Sequence, residues 1–111
     1  MERSSPNGRA LRTVPAAADA DDALRREIAQ LGAIKALVES HPGAAYRMAQ
    51  AGHREFSRGM LREEREALAV LSLSQIGRRA EAEKRAQAFV ARYPQSPLRE
   101  RVQHLIDGQA K

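Results

Sequence analysis

The chain contains no cysteine. Disulfides, thiolate metal sites and cysteine nucleophiles are therefore excluded at the outset. It has no tryptophan, two tyrosines and two phenylalanines, which leaves little aromatic surface for stacking on nucleobases. Lysine is scarce too: only Lys35, Lys84 and Lys111 are lysine, and the other cations are arginine. No apolar run approaches the ~20 residues of a membrane-spanning helix. No segment alternates with period two, so no sheet is expected. What is present is 111 residues rich in alanine, with a formal net charge of +5 spread along the chain. That length suits one small domain.

Residues 1–20 are expected to form a disordered tail or linker. Ser4-Ser5-Pro6-Asn7-Gly8 and Val14-Pro15-Ala16-Ala17-Ala18 offer only Leu11 and Val14 as larger apolar side chains. Such a segment cannot bury enough surface to offset its ordering entropy. It also lacks the run of about 7–15 apolar residues that a signal peptide carries behind its basic start. The chain as it stands therefore reads as cytoplasmic, and as periplasmic if it is a fragment of a longer anchored protein.

From Asp21 to Gly108 the period is helical, and five amphipathic helices are expected. Asp21 and Asp22 suit a helix start. Leu24, Ile28, Leu31, Ile34 and Val38 then recur at spacings of three and four, with Leu37 beside them. His41-Pro42-Gly43 stops this helix. The second spans about Ala44–Ser57 on the stripe Ala45, Ala49, Gly52, Phe56, whose small residues admit a close neighbour. The third spans about Leu61–Ile76 and is nearly encircled by apolar residues from Ala67 onward, which makes it the central helix. Gly77 is placed as its left-handed cap. The fourth spans about Ala80–Tyr93 on Ala82, Ala86, Phe89, Val90 and Tyr93, and ends at Pro94. Ser96-Pro97 starts the fifth, with Leu98, Val102, Leu105 and Ile106 as its stripe and Asp107-Gly108 as its close. Short loops make consecutive helices antiparallel.

The pattern repeats. Set at an offset of 36 to 37 residues, Ala45 falls on Ala82, Ala49 on Ala86 and Phe56 on Tyr93. Leu61-Arg62-Glu63-Glu64-Arg65 falls on Leu98-Arg99-Glu100-Arg101-Val102. The reading is about two and a half helix hairpins in an all-α stack.

Gly77, Ala82, Phe89 and Pro94 stand at the spacing of the second helix of tetratricopeptide-type repeats, which the chain resembles over about residues 24–107. From Leu61 to Leu105 it is similar to the repeats of bacterial outer-membrane-assembly lipoproteins and periplasmic cell-division coordinators. It is closer still to short C-terminal repeat domains of membrane-anchored bacterial proteins. It departs from the family at Glu66 and Val70, where a standard first helix has a large aromatic and a glycine. The resemblance implies a non-catalytic scaffold that binds another protein or peptide, with a regulatory or envelope-assembly role.

In such repeats the first helix of each pair lines the concave face. That places Glu64, Ala67, Leu71 and Gln75 of the third helix, and Arg101 and His104 of the fifth, in a candidate groove. Leu71 belongs either there or in the core. A second surface competes with it. Arg78, Arg79, Lys84, Arg85 and Arg92, joined by Arg47, Arg54 and Arg58, would form a basic stripe for nucleic acid, but only Tyr46 is left over for stacking, so nucleic acid is not the expected partner. A homodimer is the remaining alternative, through the apolar arc of Ile34, Leu37 and Val38 if the second and third helices leave it uncovered. No catalytic, cofactor or metal site is expected. His41, His53 and His104 form no metal-ligand spacing. Glu63 and Glu66, three apart in a first turn flanked by arginines, read as solvated acids at a helix start.

Overall fold

The computed structural model describes residues 15–110, with side chains described for 19–105. Every regular element among them is helical. The helices are α1 Pro15–Leu37, α2 Pro42–Glu55, α3 Arg62–Ile76, α4 Arg79–Arg92 and α5 Arg99–Ala110. Most of the expected tail falls on residues 1–14 and lies outside the described residues, as do the side chains of Ile106 and Asp107.

Helix boundaries differ from expectation where propensity outweighs the apolar stripe. α1 begins at Pro15, well ahead of Asp21. Proline needs no N–H partner in a first turn, and Ala16-Ala17-Ala18 is the best helix-forming composition available. Asp21 and Asp22 therefore lie inside the helix and are exposed. Pro42 opens α2 as well as ending the chain's first turn away from α1. At the other end, α5 continues through Asp107-Gly108 to Ala110.

Gly77 takes the left-handed conformation at φ 94°, ψ 8°, and closes α3 as expected. Its N–H bonds Ser74 O at 3.1 Å, and Arg78 N–H bonds Leu73 O at 3.1 Å. A Cβ at Gly77 meets no atom, so Gly77→Ala carries only the backbone penalty. We expect it to cost about 1 kcal/mol in urea unfolding.

Two cores flank α3. On one side Leu31 and Ile34 of α1 with Val38 just beyond it, Ala45 and Ala49 of α2, and Leu68 and Ala69 of α3 form a buried cluster. On the other, Ala67 and Val70 of α3 pack with Ala86 and Phe89 of α4 and Val102 of α5. α3 is thus the central helix, and it meets all four others. The odd helices form one layer, since α3 touches both α1 and α5, while the backbones of α2 and α4 stay apart on the other side. Of the arc offered above for dimerisation, Ile34 is fully buried, Val38 nearly so and Leu37 half-buried. Ile28, placed in the buried stripe by spacing, is 54% exposed. The inward position is taken by Glu27.

The hairpins share a register of 37 residues. α2 and α4 are each 14 residues long and begin at Pro42 and Arg79. α3 and α5 begin at Arg62 and Arg99. The ends match in conformation: Phe56 (φ −115°, ψ 54°) and Tyr93 (φ −123°, ψ 63°) each return a backbone N–H to the helix before them, to Gly52 O and Phe89 O. Ala45 and Ala49 fall on Ala82 and Ala86, and all four are buried.

Candidate protein-binding groove

On the odd-helix layer, side chains of α1, α3 and α5 and of the segments beside them border two adjoining concavities. The first, about 120 Å³, is lined by Glu64, Ala67, Leu68 and Leu71 of α3, by Arg101 and Val102 of α5 with the preceding Leu98, and by Lys35 of α1. The second, about 420 Å³, shares Lys35, Leu68, Leu71 and Arg101 and extends past the end of α1, from Ala36 to Val38 and Glu39. Four residues assigned to the groove from sequence (Glu64, Ala67, Leu71 and Arg101) thus meet at one place. Ala67 is buried in its floor, and Leu71 is half-buried and belongs to both core edge and groove. Gln75 and His104 are exposed and border neither concavity.

The charges of this groove are unspent. Lys35 and Arg101 are exposed and hold no ion pair among the described residues. Glu64 Oε1 is buried and has no hydrogen-bond partner.

The basic stripe is taken up in part by internal contacts. Arg85 is half-buried and clamps Glu66 with two bonds, Nε to Oε2 at 3.1 Å and Nη2 to Oε1 at 2.9 Å. Its Nη1 donates to Tyr46 Oη and to Gln50 Oε1, both at 3.0 Å. This one guanidinium bridges α2, α3 and α4. Arg78 pairs with Glu81 and stands 5.7 Å from the Tyr46 ring centroid, and Arg92 lies over Tyr93. Arg79 and Lys84 are exposed and without an ion pair among the described residues. Tyr46, the one aromatic left for stacking on a base, is half-buried between Arg78 and Arg85.

The reading of Glu66 as a solvated acid is overturned. Its side chain is 20% exposed and sits 2.8 Å from His53 Nε2, although that nitrogen is not aligned for a hydrogen bond. Burial alone would raise its pKa, but the contacts with His53 and Arg85 outweigh that and hold the carboxyl below its ordinary value. For Arg85, burial opposes the charge and the Glu66 bonds more than restore it, so its pKa is raised.

A second polar cluster was not foreseen at all. Arg65 is fully buried and donates through Nη2 to Glu27, itself 2% exposed. Arg65 Nε lies 3.3 Å from Gln30 Oε1, and Gln30 Nε2 donates to Met48 O at 2.6 Å. Glu27 Oε2 also accepts the backbone N–H of Leu61 at 3.1 Å. Gly52 and Gly59 make the room. A Cβ at Gly52 would stand 2.5 Å from the Gln30 amide and 2.7 Å from Arg65 Nε, and one at Gly59 would collide with the Glu27 carboxylate.

Among the described residues no group of histidines and acids could hold a metal ion, and no helix is long and apolar enough to cross a membrane. No protein-family model, curated protein or solved structure matches the chain.

Proposed function

We propose that this chain is a tetratricopeptide-like module that binds a segment of another protein on its odd-helix face and does no chemistry of its own. The observation that carries the reading is the groove between α1, α3 and α5. Leu68, Leu71 and Leu98 give it an apolar floor, and Lys35, Glu64 and Arg101 border it without internal partners. Arg65, Arg78 and Arg85 are paired with neighbours, whereas Arg79 and Lys84 are exposed and unpaired among the described residues, so it is the leucines beside the charge that mark this face. Unpaired charge beside half-buried leucine is what a polar rim around an apolar anchor site requires. The 37-residue register supports a tandem-repeat origin, and stacked hairpins of this kind present a continuous face built from alternate helices. By the same argument the fold serves as a scaffold or adaptor, in a regulatory or envelope-assembly setting.

A photo-reactive residue at Leu71 tests this in the native cells. We expect it to cross-link one protein. The same residue at Gln87, on the exposed side of α4, should not capture it. Arg101→Glu should cut the Leu71 cross-link at least fivefold while the circular dichroism melt stays unchanged. Equal capture from Leu71 and Gln87, or indifference to Arg101→Glu, rejects the groove.

A further inference from the structure

We propose that this chain forms a two-fold dimer in which α1 of one copy packs antiparallel against α1 of a second copy, with Ile28 at the centre of the contact. The dimer does not depend on what the groove binds, and it uses a different face of α1 from the arc of Ile34, Leu37 and Val38.

The 37-residue register shows which face is left open. Arg65, Ala69, Ser72 and Leu73 of α3 are all 0% exposed. Arg65 and Ala69 pack against α1, α2 and the Phe56 ring, which belong to the hairpin before them. On α5 the position of Arg65 is taken by Val102, at 1% exposure. Moved back by 37 residues, the four buried positions of α3 become Ile28, Gly32, Lys35 and Ala36 of α1. All four are exposed, Ile28 at 54%. α1 is the first described helix, and a Cβ at Gly32 would meet no atom within 4 Å. Ile28 is thus a stacking position of the repeat without its cover.

The row to which Ile28 belongs is complementary to itself. Ala20, Leu24, Ile28, Gly32 and Ala36 recur every fourth residue; Leu24 is half-buried and the others are exposed. Turned end for end about Ile28, the row sets Ile28 on Ile28, Leu24 opposite the second copy's Gly32, and Ala20 opposite its Ala36. Glycine opposite leucine lets the backbones come close and gives the leucine room. Charge follows the same symmetry. Asp21 and Lys35 stand seven residues to either side of Ile28, both exposed, and neither holds an ion pair among the described residues. The antiparallel pairing brings each Asp21 opposite the second copy's Lys35, whereas a parallel pairing would set like charge on like. The other end of the stack offers no match for this face. Where α3 buries Ala67 against α4 and α5, α5 has the exposed His104, beside exposed Arg99, Glu100 and Arg101. A head-to-tail array would therefore lay a polar helix on an apolar one, and the isologous contact is the complementary one. From Ala20 to Ala36 the helix is about 24 Å long. One helix per copy is at the small end of protein interfaces, so the dimer is reversible, with a dissociation constant on the order of micromolar.

Sedimentation equilibrium of the full chain from about 1 to 500 µM tests this. We expect the mass to rise from 12.3 kDa toward twice that value and no further. Ile28→Lys should remain a monomer throughout. Gly32→Leu separates the contact from the fold. Its new side chain meets nothing in the single copy and favours the helix, so at the dilute end it should melt no lower than the wild type, yet stay monomeric at the concentrated end. Asp21→Lys should weaken association about fivefold, and Asp21→Lys together with Lys35→Asp should restore it. A monomer at every concentration overturns the dimer. So does association that tolerates Ile28→Lys or Gly32→Leu, growth beyond twice the monomer mass, or a charge exchange that fails to restore pairing.

Discussion

Arg65→Met should destabilise the fold by about 3–5 kcal/mol, because it leaves the Glu27 carboxylate buried without its cation. Both side chains are at or below 2% exposure, so water cannot take over the lost role in place. Methionine keeps most of the volume and the contact with the Phe56 ring, which lies 5.5 Å from the guanidinium carbon. The loss therefore reports charge rather than a cavity. The control is Glu27→Leu together with Arg65→Leu. Replacing both members of a buried pair by apolar residues is often close to neutral. Here the Leu61 N–H also loses its acceptor at the start of α3, so the double variant should cost about 1–2 kcal/mol. Urea unfolding of Glu27→Leu, Arg65→Leu and the double variant forms the cycle. If the double is as damaging as Arg65→Met alone, the pair is not what makes Arg65 matter.

The consequence is more than stability. Glu27 is on α1 and Arg65 on α3, and the bond between them crosses the layer that floors the groove. Lys35, on the groove rim, is two helical turns along α1 from Glu27. A variant that loosens α1 should therefore weaken binding at the groove even though Arg65 touches no ligand.

Most of the scaffold was legible in the sequence. Short polar loops, alanines at spacings of four and one glycine at a helix end settle where helices lie and which faces pack. The central helix was legible too, since a helix apolar on most sides must be covered on most sides. Part of the groove followed from that placement: Glu64, Ala67, Leu71 and Arg101 are brought together as the helix faces required. What was not legible is polar and long-range. Glu27 sits between Leu24 and Ile28, and a charged residue inside an apolar stripe is ordinarily assigned to solvent. Its partner is 38 residues away. Glu66 was missed for the same reason, because His53 and Arg85 come to it from other helices. A signal for the first case was nonetheless present. The repeat alignment sets Arg65 against Val102, and extended back one helix it sets Gly52 against Phe89. A large polar residue beside a glycine in one hairpin, and a small apolar residue beside a phenylalanine in the other, are two ways of filling one volume.

That exchange gives the second large prediction. Phe89→Ala should cost about 3–5 kcal/mol, as removal of a buried phenylalanine from a core without room to collapse does. Phe89 is 1% exposed and packs with Ala67, Val70, Ala86 and Val102. Tyr93 lies beside it with ring centroids 5.1 Å apart. Ala67, Ala86 and Val102 are too small to move into the vacancy. Folded chains are stable by only about 5–15 kcal/mol in total, so this variant should unfold far below the wild-type urea midpoint. Phe89→Leu should cost less than half as much, and it permits a sharper test. Arg65 and Phe89 lie on opposite sides of α3 and share no partner, so Arg65→Met and Phe89→Leu should add to within about 0.5 kcal/mol. Coupling well beyond that would mean α3 responds as one body to both cores, and a change at the first hairpin would then reach the second. Additivity would instead leave the two hairpins as separate solutions of one repeat, the first filled by its own arginine and the second by its phenylalanine.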